Sequence, residues 1–418
     1  MRQSSADIYR KKLYHRGCPS LKSAPRRFQE HSNFFEYALR SLFTYKTRTV
    51  AIIVSLTIAI MVLGSAIFLS DGLLREALLS VETAPDITVQ NMEAGRVATL
   101  PYIYAEYLGR FLDVKRIVPR VWGYIYLQDR IYTLMGIDPS ITPIAEELGF
   151  TLESGRFFSA DEKNVAVIGS HVGDSLNIKL NDQVRIAEVH AVYSFTVIGI
   201  FDSDVSLFTS DLILIDMETS RDFLDVPPET ATDLCIYLDD ENRIPGTASM
   251  ITQVYPDLRV ITRESMKDAY ASTYGLRSGY VSVLWFICLI SVILVAWNQA
   301  SSASVEAQRE VGILKALGFS TSNILEIRFL ETLMLGFISA SIGVFLAIFY
   351  DLYLGAPIIR NFMLGWTAIY PDFPVPIYIS FGSLLSLYAA AIIPLLVGTL
   401  IPAWKSAITE PDVVMRGS

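Results

Sequence analysis

The chain has 418 residues, 52% of them hydrophobic and only 18% charged, with a mean hydropathy of +0.39. A soluble globular chain is about a quarter charged and just under half apolar, so long uncharged runs are expected here. The composition excludes a disordered chain, a collagen-like repeat and a disulfide-stapled miniprotein, and the net charge of −9 conceals a strong segregation along the chain.

Residues 1–33 form a basic extension, and 34–70 read as an amphipathic entry helix leading into a first apolar span, Val50–Leu69. The first 48 residues hold eleven Lys and Arg against three acids. Lys and Arg concentrate on the cytoplasmic side of a membrane, which places this end in the cytoplasm. No short apolar region with a cleavage site precedes the span, so it reads as a retained anchor. Residues 71–277 follow, with 32 acids against 17 bases, a net of −15. The second span is 278–298, around the uncharged run Tyr280–Trp297, and 299–328 is a cytoplasmic loop. Residues 329–350 carry the third span (Thr332–Tyr350), and 351–374 an external loop whose single basic residue is Arg360. The fourth span is 375–404, with Pro394 as an expected kink, and 405–418 a cytoplasmic tail. Each span reaches the roughly 20 apolar residues that a bilayer requires. Four crossings return both termini to the cytoplasmic side. The expected fold is a membrane domain of four transmembrane helices plus an α+β extracytoplasmic domain inserted between helices 1 and 2.

Within 71–277, short runs rich in β-branched and aromatic residues predict strands at Asp86–Gln90, Val121–Leu127, Tyr132–Gly136, Val165–Ile168, Val184–Ile186, Phe195–Ile200, Leu212–Ile215 and Leu234–Leu238. Asn181-Asp182 predicts a hairpin turn between Asn177–Leu180 and the next strand. Helical periodicity falls on Ile103–Leu112, Met217–Leu224 and Gly246–Val254. Asp71–Val81 extends the first span outward as a stalk helix, and Glu264–Arg277 reads as a second stalk running straight into the second span. The acidity of this domain argues against nucleic acid and anionic headgroups as partners.

Catalytic signatures are missing from the sequence. No Gly precedes a Lys, so there is no phosphate-cradling loop, and neither H-E-x-x-H nor G-x-S-x-G occurs. His15, His31, His171 and His190 are scattered, Asp202, Asp204 and Asp211 reflect charge density, and Cys18, Cys235 and Cys288 fall in three different segments. The spans hold almost no ionisable residue to line a polar path. Glu331, one turn from Arg328, is the exception and reads as an interfacial ion pair or helix-start residue, with a transport role as the alternative. Ser339, Gly343 and Ala347 form a small-x-x-x-small stripe suited to close helix packing or a dimer seam.

The loop between spans two and three is the most informative segment. Glu306–Gly318 (EAQREVGILKALG) reads as a short amphipathic helix. Glu306 and Arg309 stand at i, i+3; Val311, Leu314 and Leu317 share an apolar stripe; Gly318 ends the helix in a left-handed turn. Asn323, three residues before Glu326, resembles a capping-box start to the next helix. This segment resembles the E-x-x-R-E-[IV]-G signature of the FtsX-like/MacB-like ABC permease family. Tyr37–Leu42 with Lys46–Thr49, Gly155–Phe158 with Val165–Ser170, Glu331 with Gly336 and Gly343, and Pro402-Ala403 with Pro411–Arg416 are similar to other parts of that family.

The resemblance implies a non-catalytic permease subunit of an ABC transporter in the cytoplasmic membrane, acting as a mechanotransmitter. It implies no cofactor in this chain, with ATP and Mg bound by a separate ABC ATPase dimer. The ATPase-coupling residues carried over are Glu306, Arg309, Glu310, Gly312, Lys315 and Gly318. Implied partners are a second permease copy or a related permease, membrane lipid, and a periplasmic adaptor or lipoprotein chaperone. The alternative is a non-transporting transmembrane regulator that relays ATPase state to an external hydrolase.

Overall fold

A computed structural model of the chain describes residues 26–44, 46–111, 114–140, 150–187, 192–203, 205, 211–275, 279–302, 312–364 and 376–408. These residues fall into two compact units: 1–60 with 288–343 and 386–418, and 61–287 with 344–385.

Among the described residues, four helices are long and apolar enough to cross a membrane. After an amphipathic helix α1 (Arg26–Thr44), the first of them is α2 (Lys46–Glu82), 37 residues without interruption. A strand-rich region follows, and then α7 (Arg263–Tyr274) and α8 (Gly279–Ser302). The next long helix, α9 (Thr321–Leu354), is followed by the short α10 (Pro357–Leu364). The last, α11 (Phe381–Ile408), continues through Pro394 as one helical segment. The outward continuation of span one is therefore present in α2. Of the expected second stalk, Glu264–Arg277, the part up to Tyr274 is helical in α7, which Thr262 caps by accepting from the Ser265 N–H and which Gly275 follows with ψ 173; its junction with the second span, residues 276–278, lies outside the described residues.

In the first unit, helices pack through small residues. Gly343 of α9 is buried, and a Cβ there would stand 2.9 Å from the Ile60 side chain and 3.0 Å from the Thr57 carbonyl of α2. Ser339, one turn earlier, is fully buried, and its carbonyl accepts the Thr57 hydroxyl at 3.4 Å. Both small residues thus lie in a helix–helix contact within one chain. Thr332 and Thr399 share a hydroxyl contact of 3.0 Å, and Ser341 and Tyr388 one of 2.9 Å. In the second unit Ala347 is fully buried. Gly343→Leu is expected to cost about 1–3 kcal/mol or more, because four extra heavy atoms must displace Ile60 and the α2 backbone. A lower melting temperature in detergent than for Gly343→Ala checks this; equal melting of the two variants would contradict the close contact.

The second unit holds the α+β domain. In chain order its strands are β1 (Ile87–Glu93), β2 (Arg96–Ala98), β3 (Leu100–Pro101), β4 (Val114–Leu127), β5 (Arg130–Ile137), β6 (Phe150–Gly155), β7 (Val165–Gly169), β8 (Gln183–Ala187), β9 (Val192–Ser203), β10 (Leu212–Asp216), β11 (Thr230–Ala231), β12 (Asp233–Leu238) and β13 (Leu258–Thr262). The main sheet runs β13–β1–β12–β4–β5–β10–β7–β9–β6, with β2 on β1 and β8 on β9, and β3 pairs with β11 apart from it. One half consists of β1 (Ile87–Glu93), β2 (Arg96–Ala98), β12 (Asp233–Leu238) and β13 (Leu258–Thr262), all antiparallel. It buries Ile87, Val89, Leu234 and Ile236 against Leu108 of α3 (Ile103–Phe111) and Ile251 of α6 (Ile244–Val254). The other half contains β5 (Arg130–Ile137), β6 (Phe150–Gly155), β7 (Val165–Gly169), β8 (Gln183–Ala187), β9 (Val192–Ser203) and β10 (Leu212–Asp216). Here β5 and β10 are parallel, as are β7 and β9.

The central strand β10 has every residue buried. Successive strand side chains point to opposite faces. Ile213 and Ile215 accordingly enter one core with Val172 of α4 (Ser170–Leu176) and Phe223 of α5 (Met217–Leu224), while Leu212 and Leu214 enter another with Phe158 and Phe201. A strand covered on both faces reads as an unbroken apolar run, which is why its alternation is invisible in the sequence.

One strand belongs to both halves. The 14-residue β4 (Val114–Leu127) pairs with β12 from Val114 to Arg120 and with β5 from Val121 to Leu127. The predicted strand covered only the second part. The expected strand at 177–180 is absent: Asn177 instead ends α4 in a left-handed conformation with φ 52.

Candidate functional site

Gly312, Lys315 and Gly318 of the predicted coupling segment are described, whereas Glu306, Arg309 and Glu310 lie outside the described residues. Residues 312–316 are helical, and the helix stops as the sequence requires. Gly318 has φ +92, its N–H donates to the Lys315 carbonyl at 2.9 Å, and the Phe319 N–H donates to the Leu314 carbonyl at 3.1 Å. This pair of bonds is a Schellman stop, with the left-handed residue supplied by glycine because a Cβ there is strained. Its accompanying apolar contact is present, since Leu314 and Phe319 pack with Ile324. The Phe34 ring of α1 lies 6.2 Å from that of Phe319.

The apolar stripe divides between two environments. Leu314 is 8% exposed and holds the turn in place, whereas Leu317 is 71% exposed and Ile313 54%. Val311 lies outside the described residues. Lys315 is half-buried. The next helix begins one turn earlier than the Asn323 reading: the Ser320 hydroxyl accepts the Asn323 N–H at 3.3 Å, and α9 starts at Thr321. Ser320 is a good N-cap because its oxygen reaches the N3 amide. Asn323 itself occupies that N3 position.

Behind this turn, Leu325, Phe329, Leu400, Ile401 and Trp404 line a groove with Ser322 and Glu326 at its polar edge. Arg328 and Glu331 form the expected ion pair at 2.7 Å, and Glu331 is 8% exposed. Two further carboxylates, which span-by-span inspection passes over, lie in the long helices of the second unit. The Ser65 hydroxyl donates to Asp351, and the Ser383 hydroxyl donates to Asp71. Both sit just beyond the ends of the uncharged runs, so a charge count confined to those runs misses them.

Four apolar helices of spanning length together with a strand-rich α+β domain make this a multi-pass membrane protein. The MacB-like periplasmic core domain matches residues 49–254, and the FtsX-like permease C-terminal domain matches residues 282–411. The chain belongs to the FtsX-like/MacB-like family of ABC transporter permeases.

Among its relatives, an uncharacterised ABC transporter permease of Methanocaldococcus jannaschii is 23% identical over 51% of this chain and 54% of its own length. The lipoprotein-releasing system transmembrane protein LolC of Haemophilus influenzae is 20% identical over 60% of this chain and 63% of its own length. The chain thus spans somewhat over half the length of these relatives. The periplasmic region of MacB from Actinobacillus actinomycetemcomitans is 14% identical, with a TM-score of 0.35, over 47% of this chain and 98% of that region.

Proposed function

We propose that this chain is one of two permease chains in an ABC transporter of the cytoplasmic membrane, driven by a separate dimeric ATPase that binds ATP and Mg. Both termini and the loop 299–328 face the cytoplasm. The α+β domain, inserted between the first and second spanning helices, lies outside. The ATPase grips the loop through Glu306, Arg309 and Glu310, with Gly312, Lys315 and Gly318 shaping it. Closure of the ATPase then moves the outer domain to export or extract a substrate from the envelope side, with a periplasmic adaptor or lipoprotein chaperone as a further partner.

The observation that carries this reading is the uninterrupted α2 of 37 residues. At 1.5 Å per residue it is about 55 Å long, against a hydrocarbon core of about 30 Å. Such a helix carries displacement beyond the bilayer without a flexible link. The Schellman stop at Gly318 also supports it, because a loop that transmits force has to hold one conformation.

Affinity purification of the detergent-solubilised chain from its native membrane, followed by mass spectrometry, tests the proposal. An ABC ATPase is expected to co-purify. An envelope hydrolase in place of an adaptor or chaperone would instead support the regulator alternative. Failure to recover any ATPase after crosslinking would refute both.

A further inference from the structure

The end of α2 and the start of α7 are joined through one side chain. Arg263 Nη2 lies 2.8 Å from Asp86 Oδ1 and donates to the Ala84 carbonyl at 2.9 Å, while Nη1 donates to Glu241 Oε1 at 3.1 Å. The Arg263 side chain is 21% exposed and that of Asp86 7%. The second Asp86 oxygen accepts the Leu238 backbone N–H of β12 at 2.8 Å. The Asp86 carbonyl accepts the Arg263 backbone N–H at 3.1 Å. The planar guanidinium fork thereby binds the chain leaving α2, the sheet through Asp86, and the first residue of α7.

A second tie lies at the other end of α7. The fully buried Ser70 of α2 donates its hydroxyl to the Tyr274 carbonyl, one of the terminal carbonyls that a helix leaves without an internal partner. The 12 residues of α7 put the two ties about 18 Å apart along that helix. Attachment at one point leaves a helix free to pivot, whereas attachment at both ends removes that freedom. Immediately past the second tie, Gly275 is extended, and a side chain there would collide with the Ala271 carbonyl.

We propose that Arg263 and Ser70 are positioning residues that lock the end of α2 and α7 into one lever on the sheet. This rests on the mechanotransmission reading above and names the residues that deliver the movement to the outer domain.

The test uses the complex of the full chain with its ATPase. Cys18→Ser removes one native thiol, and the remaining two, Cys235 and Cys288, are buried. Spin labels are placed at Asp129→Cys, on the exposed turn between β4 and β5, or at Leu317→Cys beside the coupling turn. Distances between the labels of the two permease chains are read with and without MgATP and vanadate. In the otherwise unmodified chain both distances are expected to shift. Arg263→Gln is expected to halve the Asp129 shift or more, leaving the Leu317 shift and the ATPase rate in place, and Ser70→Ala to reduce the Asp129 shift alone by a smaller amount. Partial recovery in Arg263→Lys would distinguish a tie from a folding defect. Unreduced Asp129 shifts in Ser70→Ala and in a folded Arg263→Gln overturn the lever. Absence of any shift at Leu317 without either variant overturns the ATPase-driven reading itself.

Discussion

Replacement of Asp233 by alanine is expected to destabilise the α+β domain by about 3–5 kcal/mol, the range for removing one partner of a buried ion pair. Asp233 has 1% of its side chain exposed and accepts from Arg120 Nε at 2.8 Å and Nη2 at 2.9 Å, while Trp122 Nε1 donates to it at 3.0 Å. Burial works against the charged form of Arg120, yet the facing carboxylate more than restores it and holds the guanidinium above its ordinary pKa. Without that carboxylate, a cation that is only 25% exposed loses its counter-charge and the Trp122 indole loses its acceptor.

The location magnifies the effect. Asp233 and Arg120 are register partners at the point where β4 passes from β12 to β5. Hydrogen exchange should therefore show protection lost on both sides of β4 rather than in one half of the sheet. The paired change Arg120→Met with Asp233→Leu is expected to recover most of the stability, since an apolar pair carries no uncompensated charge. If Asp233→Ala exchanged as slowly as the unaltered protein, the ion pair would have no role in joining the two halves.

Charge reversal in the coupling loop, with Glu306→Lys, Arg309→Glu and Glu310→Lys together, is the change expected to remove function most completely. If these side chains face the ATPase, three favourable charge contacts become repulsive. Loss of even about 1.4 kcal/mol weakens association tenfold, so the co-purified ATPase should fall by tenfold or more. Membrane insertion and the melting temperature should remain near those of the unaltered chain, because the reversed residues lie outside the apolar spans. Undiminished ATPase recovery would remove the coupling role from this loop. A second comparison locates the cause: Gly318→Ala should weaken the same interaction through the turn, at a cost of about 1–2 kcal/mol for a non-glycine left-handed residue, without altering any charge.

Much of the architecture is written locally. Uncharged runs of spanning length, the β-branched strands at Val165–Gly169 and Leu212–Asp216, and the helix Met217–Leu224 are all set by residues within a few turns of one another. The stop at Gly318 is of the same kind, because the bonds that define it join residues three and five positions apart. The E-x-x-R-E-V-G segment points to the permease family by sequence alone, and the two family matches establish that membership. Less legible was the beginning of α9, where two nearby polar residues could each serve as a cap, and backbone geometry selected Ser320 over Asn323.

What the sequence determined by itself was thus the set of spans, the α+β character of the intervening region and the family. Hydrophobic periodicity, composition and short-range capping act over distances shorter than a helix. The tertiary structure alone decided which residues are partners. Arg120 meets Asp233 across 113 residues, Ser70 meets Tyr274 across 204, and Thr57 meets Ser339 across 282. No local pattern encodes such pairs, since a buried polar group needs a partner but its sequence neighbours do not specify which one. The same reason assigned Gly343 to a contact with α2 inside the chain: a small residue permits close approach, and the fold chooses the helix that approaches.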